Sequence, residues 1–157
     1  MTGAELKTIR ESLGLSVKWL AEKAGVSHRS ASYWESCTFS VPDDVAQMIN
    51  ALDAGIDSMV TQAINVIDDQ IKGQGELPEK VVLLRYRTDE DLWQFRSDMA
   101  GLPVTYHAAM LARLRSAVIS LKVPCFVYWL DPDDYLAWLG TRKDSEAMRS
   151  AWAVANC

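Results

Sequence analysis

Cysteine is scarce in this 157-residue sequence, and Cys37, Cys125 and Cys157 are odd in number and far apart. That argues against a disulfide framework and supplies no zinc-ligand spacing, so all three read as reduced thiols. Histidine is scarcer still, with only His28 and His107. Neither stands in a nucleophile or metal-ligand pattern, so no cofactor is implied and an enzyme is not expected. Long apolar runs are missing too, and none approaches the roughly 20 residues that a membrane span needs. The opening residues, MTGAELKTIRESLG, lack the basic-then-apolar pattern of a secretion signal, so the chain is expected to be cytoplasmic.

Positive charge is also in short supply. The formal net charge of -5 looks wrong for a polyanion binder until it is resolved by segment. Residues 1–40 carry five basic groups (Lys7, Arg10, Lys18, Lys23, Arg29) against four acidic ones, a net of +1, whereas residues 41–72 set Lys72 against six aspartates, a net of -5. Any nucleic-acid face therefore belongs to the first segment, and the acidic stretch after it should point away from phosphate. So small a basic excess predicts modest non-specific affinity, because that affinity comes from neutralised phosphates.

What the sequence does contain is helical punctuation. Thr2 with Glu5 forms a capping box ahead of Leu6, Ile9 and Leu13, and Gly14 closes this first helix. Ser16 caps a second helix with Leu20, Ala21 and Ala24 inward, Gly25 breaks it, and Ser27 caps a third through about Glu35. Pro42 with Asp43 and Asp44 then opens a helix of about 28 residues, its carboxylates at the positive helix end. Within it Ile49, Leu52, Ile56, Met59, Ala63 and Val66 fit a seven-residue repeat that suits either a two-helix dimer seam or packing on the chain's own core.

Lys72 to Pro78 is the linker-like stretch, giving expected domains of 1–72 and 73–157. The second should hold a strand at Lys80–Tyr86, a helix capped by Thr88 to about Met99, and a helix over Val104–Lys122. A second strand at Val123–Leu130 and two closing helices complete it. Two strands make a marginal sheet, so pairing with a second copy would be physically sensible. The expected fold is mainly α with a small β component: a helix-turn-helix bundle, a long connecting helix and a C-terminal α+β dimerisation domain.

A helix-turn-helix needs a small residue where its two helices meet, a glycine in the turn and apolar positions that lock the pair, and Leu20, Ala21, Ala24, Gly25, Val26, Ala31 and Trp34 supply these at the right spacing. Over residues 3–52 the sequence closely resembles the lambda-repressor-like (XRE) family, through Leu20-Ala21, Gly25-Val26-Ser27 and Trp34-Glu35. It departs at Val17, where a polar phosphate contact is common, and at Ala31, smaller than the usual Ile or Val. The resemblance implies a structural ion pair between Arg10 and Glu35.

At 100° per residue His28, Arg29, Ser32 and Tyr33 share one face of the third helix, while Ser30, Ala31 and Trp34 share the other. The first set is expected to face the DNA major groove, and Ser27 at the helix start is a further expected DNA contact. Arg29 is the strongest base reader, since its planar fork can bond guanine O6 and N7 together. Lys18 and Lys7 are expected phosphate contacts, although a lysine is most often simply solvated.

A narrower resemblance rests on Tyr33-Trp34-Glu35-Ser36 and Val41-Pro42-Asp43-Asp44-Val45, followed by a long helix and a small strand-containing tail. These look like the YdiL-like and anti-CRISPR-associated autorepressors of phages and plasmids. The resemblance implies a homodimer that binds double-stranded DNA at a pseudo-palindromic operator in its own promoter; some members also bind the mRNA.

Other readings find less support. Asp131, Asp133 and Asp134 resemble a metal motif in composition, but Pro132 among them favours a helix start. A protein-interaction or antitoxin-like module would use Trp93, Phe95, Phe126, Tyr128, Trp129, Tyr135, Trp138 and Trp152 to grip a partner, whereas these aromatics are most simply core. An RNA-binding regulator is the remaining alternative.

Overall fold

The structure, a computed structural model, describes residues 1–156; Cys157 lies outside them. Four helices come first: α1 (Gly3–Ser12), α2 (Val17–Ala24), α3 (His28–Glu35) and α4 (Asp43–Gln74). Then follow β1 (Val81–Arg85), α5 (Asp89–Phe95), a 3-10 turn (Ser97–Met99), α6 (Val104–Ser120), β2 (Cys125–Trp129), α7 (Pro132–Leu139) and α8 (Glu146–Asn156). The fold is mainly α with a small β component, and among the described residues no helix is long and apolar enough to cross a membrane.

The chain divides into two compact units, Met1–Thr61 and Gln62–Cys157, with the division inside α4. In the first, local chemistry sets each helix boundary. The Thr2 hydroxyl accepts from the Glu5 amide at 3.1 Å while the Glu5 carboxylate accepts from the Thr2 amide at 2.6 Å, starting α1. Ser16 and Ser27 accept from the Trp19 and Ser30 amides at 3.0 and 3.1 Å, starting α2 and α3. Between them Gly25 adopts a left-handed φ of 66°, the conformation that turns the chain most cheaply without a side chain. Leu6, Leu13, Leu20, Ala31, Ile49 and Ile56 are wholly buried, the larger ones each contributing about 1.5–3 kcal/mol.

α4 runs for 32 residues, longer than the spacing of its apolar residues suggests. Ile49 and Ile56 of its seven-residue repeat are buried within the chain's own first unit, whereas Val66 is 60% exposed. Further along, Ile67 joins Val118, Val123 and Cys125 in the core of the second unit, flanked by Ile64, Ile71 and Leu114.

That second unit is built on a two-stranded parallel sheet in which Val81 pairs with Cys125 and Arg85 with Trp129. Parallel pairing requires a long crossover, which α5, the 3-10 turn and α6 provide. α6 and α8 both pack on β1. Two expectations are corrected here. The helix after Thr88 ends at Phe95, because Arg96 leaves the helical region (φ -130°, ψ 70°) and the chain tightens into the 3-10 turn that buries Met99. The aromatics are not uniformly core: Phe95, Tyr135 and Trp152 are buried, but Trp93, Phe126, Tyr128 and Trp129 are 37–46% exposed. Three of those four lie on β2, which has a partner on one side alone in this sheet, so its outer edge and flanking side chains are uncovered.

Candidate nucleic-acid interface

α3 owes its position to what its inner face buries. Ala31 and Trp34 pack inward, and the Gly25 turn sets the angle at which α3 leaves α2. From the far end Glu35 reaches back to α1: the Arg10 Nε donates to Glu35 Oε1 at 2.5 Å and Nη2 to Oε2 at 3.1 Å, with Nη1 donating to the Leu15 carbonyl at 2.5 Å. Both side chains of this two-pronged pair are more than nine-tenths buried. Its role is to fix the end of α3 against α1, because a bidentate guanidinium–carboxylate contact constrains orientation as well as distance.

The opposite face of α3 is the open one. Ser27, His28 and Arg29 are exposed, and Ser32 and Tyr33 are half-buried along the same side. Arg29 donates from Nε to the Tyr33 hydroxyl, with its guanidinium carbon 5.3 Å from the ring centre. Tyr33 in turn meets Phe39 edge-on at 5.5 Å. This chain of contacts holds the Arg29 fork near the helix without occupying its two terminal nitrogens. Ser32 is less free than its position on the helix suggests, since its hydroxyl donates to the His28 carbonyl at 2.9 Å. Its oxygen can accept a hydrogen bond from a base or water, but donating one means giving up that bond. The Ser27 hydroxyl, besides capping α3, lies 2.9 Å from that of Ser30.

Lys18, at the start of α2, is 80% exposed and only loosely paired with Glu22 at 3.8 Å. Its ammonium is available to a phosphate, as is that of the exposed Lys7 on α1.

One residue escaped the sequence analysis. Phe39 is 60% exposed beside Tyr33, an apolar surface of the kind that meets a thymine methyl. Its signal was weak, because a lone phenylalanine in the loop after a helix has no periodicity to mark it.

The family model for Aca2/YdiL-like proteins matches residues 1–118, which takes in the first unit, all of α4 and most of α6. This chain belongs to the Aca2/YdiL-like family. Among curated relatives, the Aca2 repressor of Pectobacterium phage ZF40 is 42% identical over 81 residues, a match covering 50% of this chain and 65% of the relative. The chain thus spans just under two-thirds of the length of that relative. β2, α7 and α8 lie beyond the residues that the family model matches.

Proposed function

We propose that this chain is a transcriptional repressor that binds double-stranded DNA, and not an enzyme. The observation that carries the proposal is the division of α3 into a buried face, Ala31 and Trp34, and an open face bearing Arg29, whose terminal nitrogens have no partner among the described residues. The likeness to a protein named a repressor supports the same reading. In this reading α3 lies in the major groove, with His28, Arg29, Ser32 and Tyr33 toward base edges and Ser27, Lys18 and Lys7 toward phosphate.

Because residues 1–40 carry a net charge of only +1, one copy has little electrostatic hold on DNA. Two copies at half-sites about 34 Å apart would supply the rest, which implies a pseudo-palindromic operator and a homodimer. In this reading residues 1–72 form the DNA-binding part and residues 73–157 the dimerisation part. The uncovered edge of β2, with Phe126, Val127, Tyr128 and Trp129 exposed in succession, is the surface that a second copy would cover. Repression follows where the operator overlaps a promoter, by occlusion.

The test is binding of the chain to DNA from upstream of its own coding sequence, by fluorescence anisotropy at stated salt. Arg29→Ala should weaken specific binding by about 5- to 150-fold, the equivalent of about 1–3 kcal/mol for a base-reading arginine, with little change in thermal stability. Undiminished binding by that variant would remove the assignment of α3. Displacement of the DNA by the transcript leader at equal concentration would move the reading to RNA.

A further inference from the structure

The second unit contains a cavity that the DNA-binding reading does not use. It measures about 120 Å³ and lies between β1, α6 and α8, with Tyr86, Arg96, His107, Glu146 and Arg149 in its walls alongside aliphatic side chains of β1 and α6. Polar groups in such a place are ordinarily consumed by one another. Here they are not.

His107 is 2% exposed, and its Nδ1 is the one buried side-chain nitrogen or oxygen without a hydrogen-bond partner among the described residues. Tyr86 meets its ring edge-on at 5.1 Å and offers no bond to that nitrogen. A buried polar atom left unpaired is uncommon in folded proteins and calls for a cause. Both arginines are only partly engaged. Arg96 donates from Nε and Nη2 to Asp98 at 3.0 and 2.8 Å, while Arg149 donates from Nη1 to Asp144. That leaves Nη1 of Arg96, and Nε and Nη2 of Arg149, without a protein partner among the described residues, although Arg149 is 7% exposed. Burial, then the charges of Arg96 and Arg85, push the His107 pKa down to about 4, so the imidazole is neutral at pH 7 and either nitrogen can be the acceptor or the donor.

We infer that this cavity binds a small carboxylate, seated between the unengaged nitrogens of Arg96 and Arg149 and beside the His107 ring. The size is right for a compact ligand: an apolar cavity of about 150 Å³ accommodates benzene, so about 120 Å³ suits around five non-hydrogen atoms. Asp98 and Asp144 pair with the two arginines and Glu146 adds a third carboxylate, yet at the His107 ring the charges of Arg96 and Arg85 act ahead of that of Asp98, and a planar carboxylate matches the geometry of the N–H groups that the arginines keep free. An ammonium ligand would face both arginines, and an apolar one would leave His107 unsatisfied.

Acetate is the probe, with acetamide as its neutral counterpart of equal size and chloride as the ionic-strength control. The full chain holds two histidines, so ring-labelled histidine gives two imidazole signals, separated by His28→Gln. Acetate should move the His107 signals saturably with a half-saturation on the order of millimolar, the strength that ligands of about four atoms reach, while His28 stays still. Glu146→Gln, an exposed position, should tighten acetate two- to tenfold by removing the opposing charge. No saturable movement, an equal response to acetamide or chloride, movement shared by His28, or an affinity that Glu146→Gln leaves unchanged would each overturn the assignment. None of these outcomes depends on DNA binding.

Discussion

Arg10 on α1 and Glu35 at the end of α3 are joined across 25 residues of sequence by two hydrogen bonds of 2.5 and 3.1 Å, with both side chains almost wholly buried. Replacing Glu35 by Ala leaves the buried guanidinium with the Leu15 carbonyl and only the exposed Glu11 carboxylate, 3.4 Å from Nη2, so the first unit should lose about 3 kcal/mol, the low end for breaking a buried pair. Urea denaturation measures this. A double-mutant cycle with Arg10→Met should recover part of the loss, because removing both charges together avoids the uncompensated one.

Gly3 packs against the same end of α3. A Cβ there would stand 2.1 Å from the Trp34 carbonyl oxygen and 3.0 Å from the Glu35 carbonyl oxygen. Both neighbours are backbone and cannot rotate away, so Gly3→Ala should destabilise by about 1–3 kcal/mol despite alanine's higher helix propensity. An unchanged denaturation midpoint would mean that α1 can slide along α3.

β2 sets up a prediction about assembly. Val127 is 40% exposed in the middle of the uncovered strand, and a lysine at an edge is a common device for preventing strand pairing. On the proposed homodimer, Val127→Lys should therefore convert dimer to monomer in sedimentation while the helical circular dichroism is retained, and an unchanged sedimentation coefficient would remove β2 from the interface. Affinity for the proposed operator should fall with it, since each half-site would then be bound singly.

The titration of His107 couples folding to pH. Its pKa in the fold is about 4, against an ordinary value near 6.5, with burial as the largest cause. The fold therefore holds the neutral ring while the unfolded chain takes up a proton. The stability is complete above pH 6.5 and is lost as pH falls from there toward 4, by about 2 kcal/mol on reaching pH 5. His107→Leu should flatten this slope between pH 7 and 5 in urea titrations. An equally steep slope in that variant would assign the effect to other groups.

Much of the first unit is legible in the sequence because its signals are local. Thr2 with Glu5, Ser16, Gly25 and Ser27 act on residues within four positions of themselves, and those short-range bonds are present in the structure. The buried pair Ala31 and Trp34 likewise follows from helical periodicity alone. Legibility falls in the second unit. The 3-10 turn after Phe95 and the exposure of Phe126, Tyr128 and Trp129 depend on neighbours far away in sequence. A run of β-branched and aromatic residues reads as a buried strand, and nothing in its composition says how many strands will flank it.

By itself, then, the sequence determined where α1, α2 and α3 start, the turn, and the face of α3 that bears Arg29, since those depend on caps and a 3.6-residue period. The tertiary structure decided the rest: that Phe39 packs edge-on against Tyr33 beside Arg29, that α4 contributes to two cores, and that β2 keeps an open edge. It also decided that Arg96, His107 and Arg149 converge on one cavity. None of these four follows from a cap, a turn or a helical period, and only packing decides them.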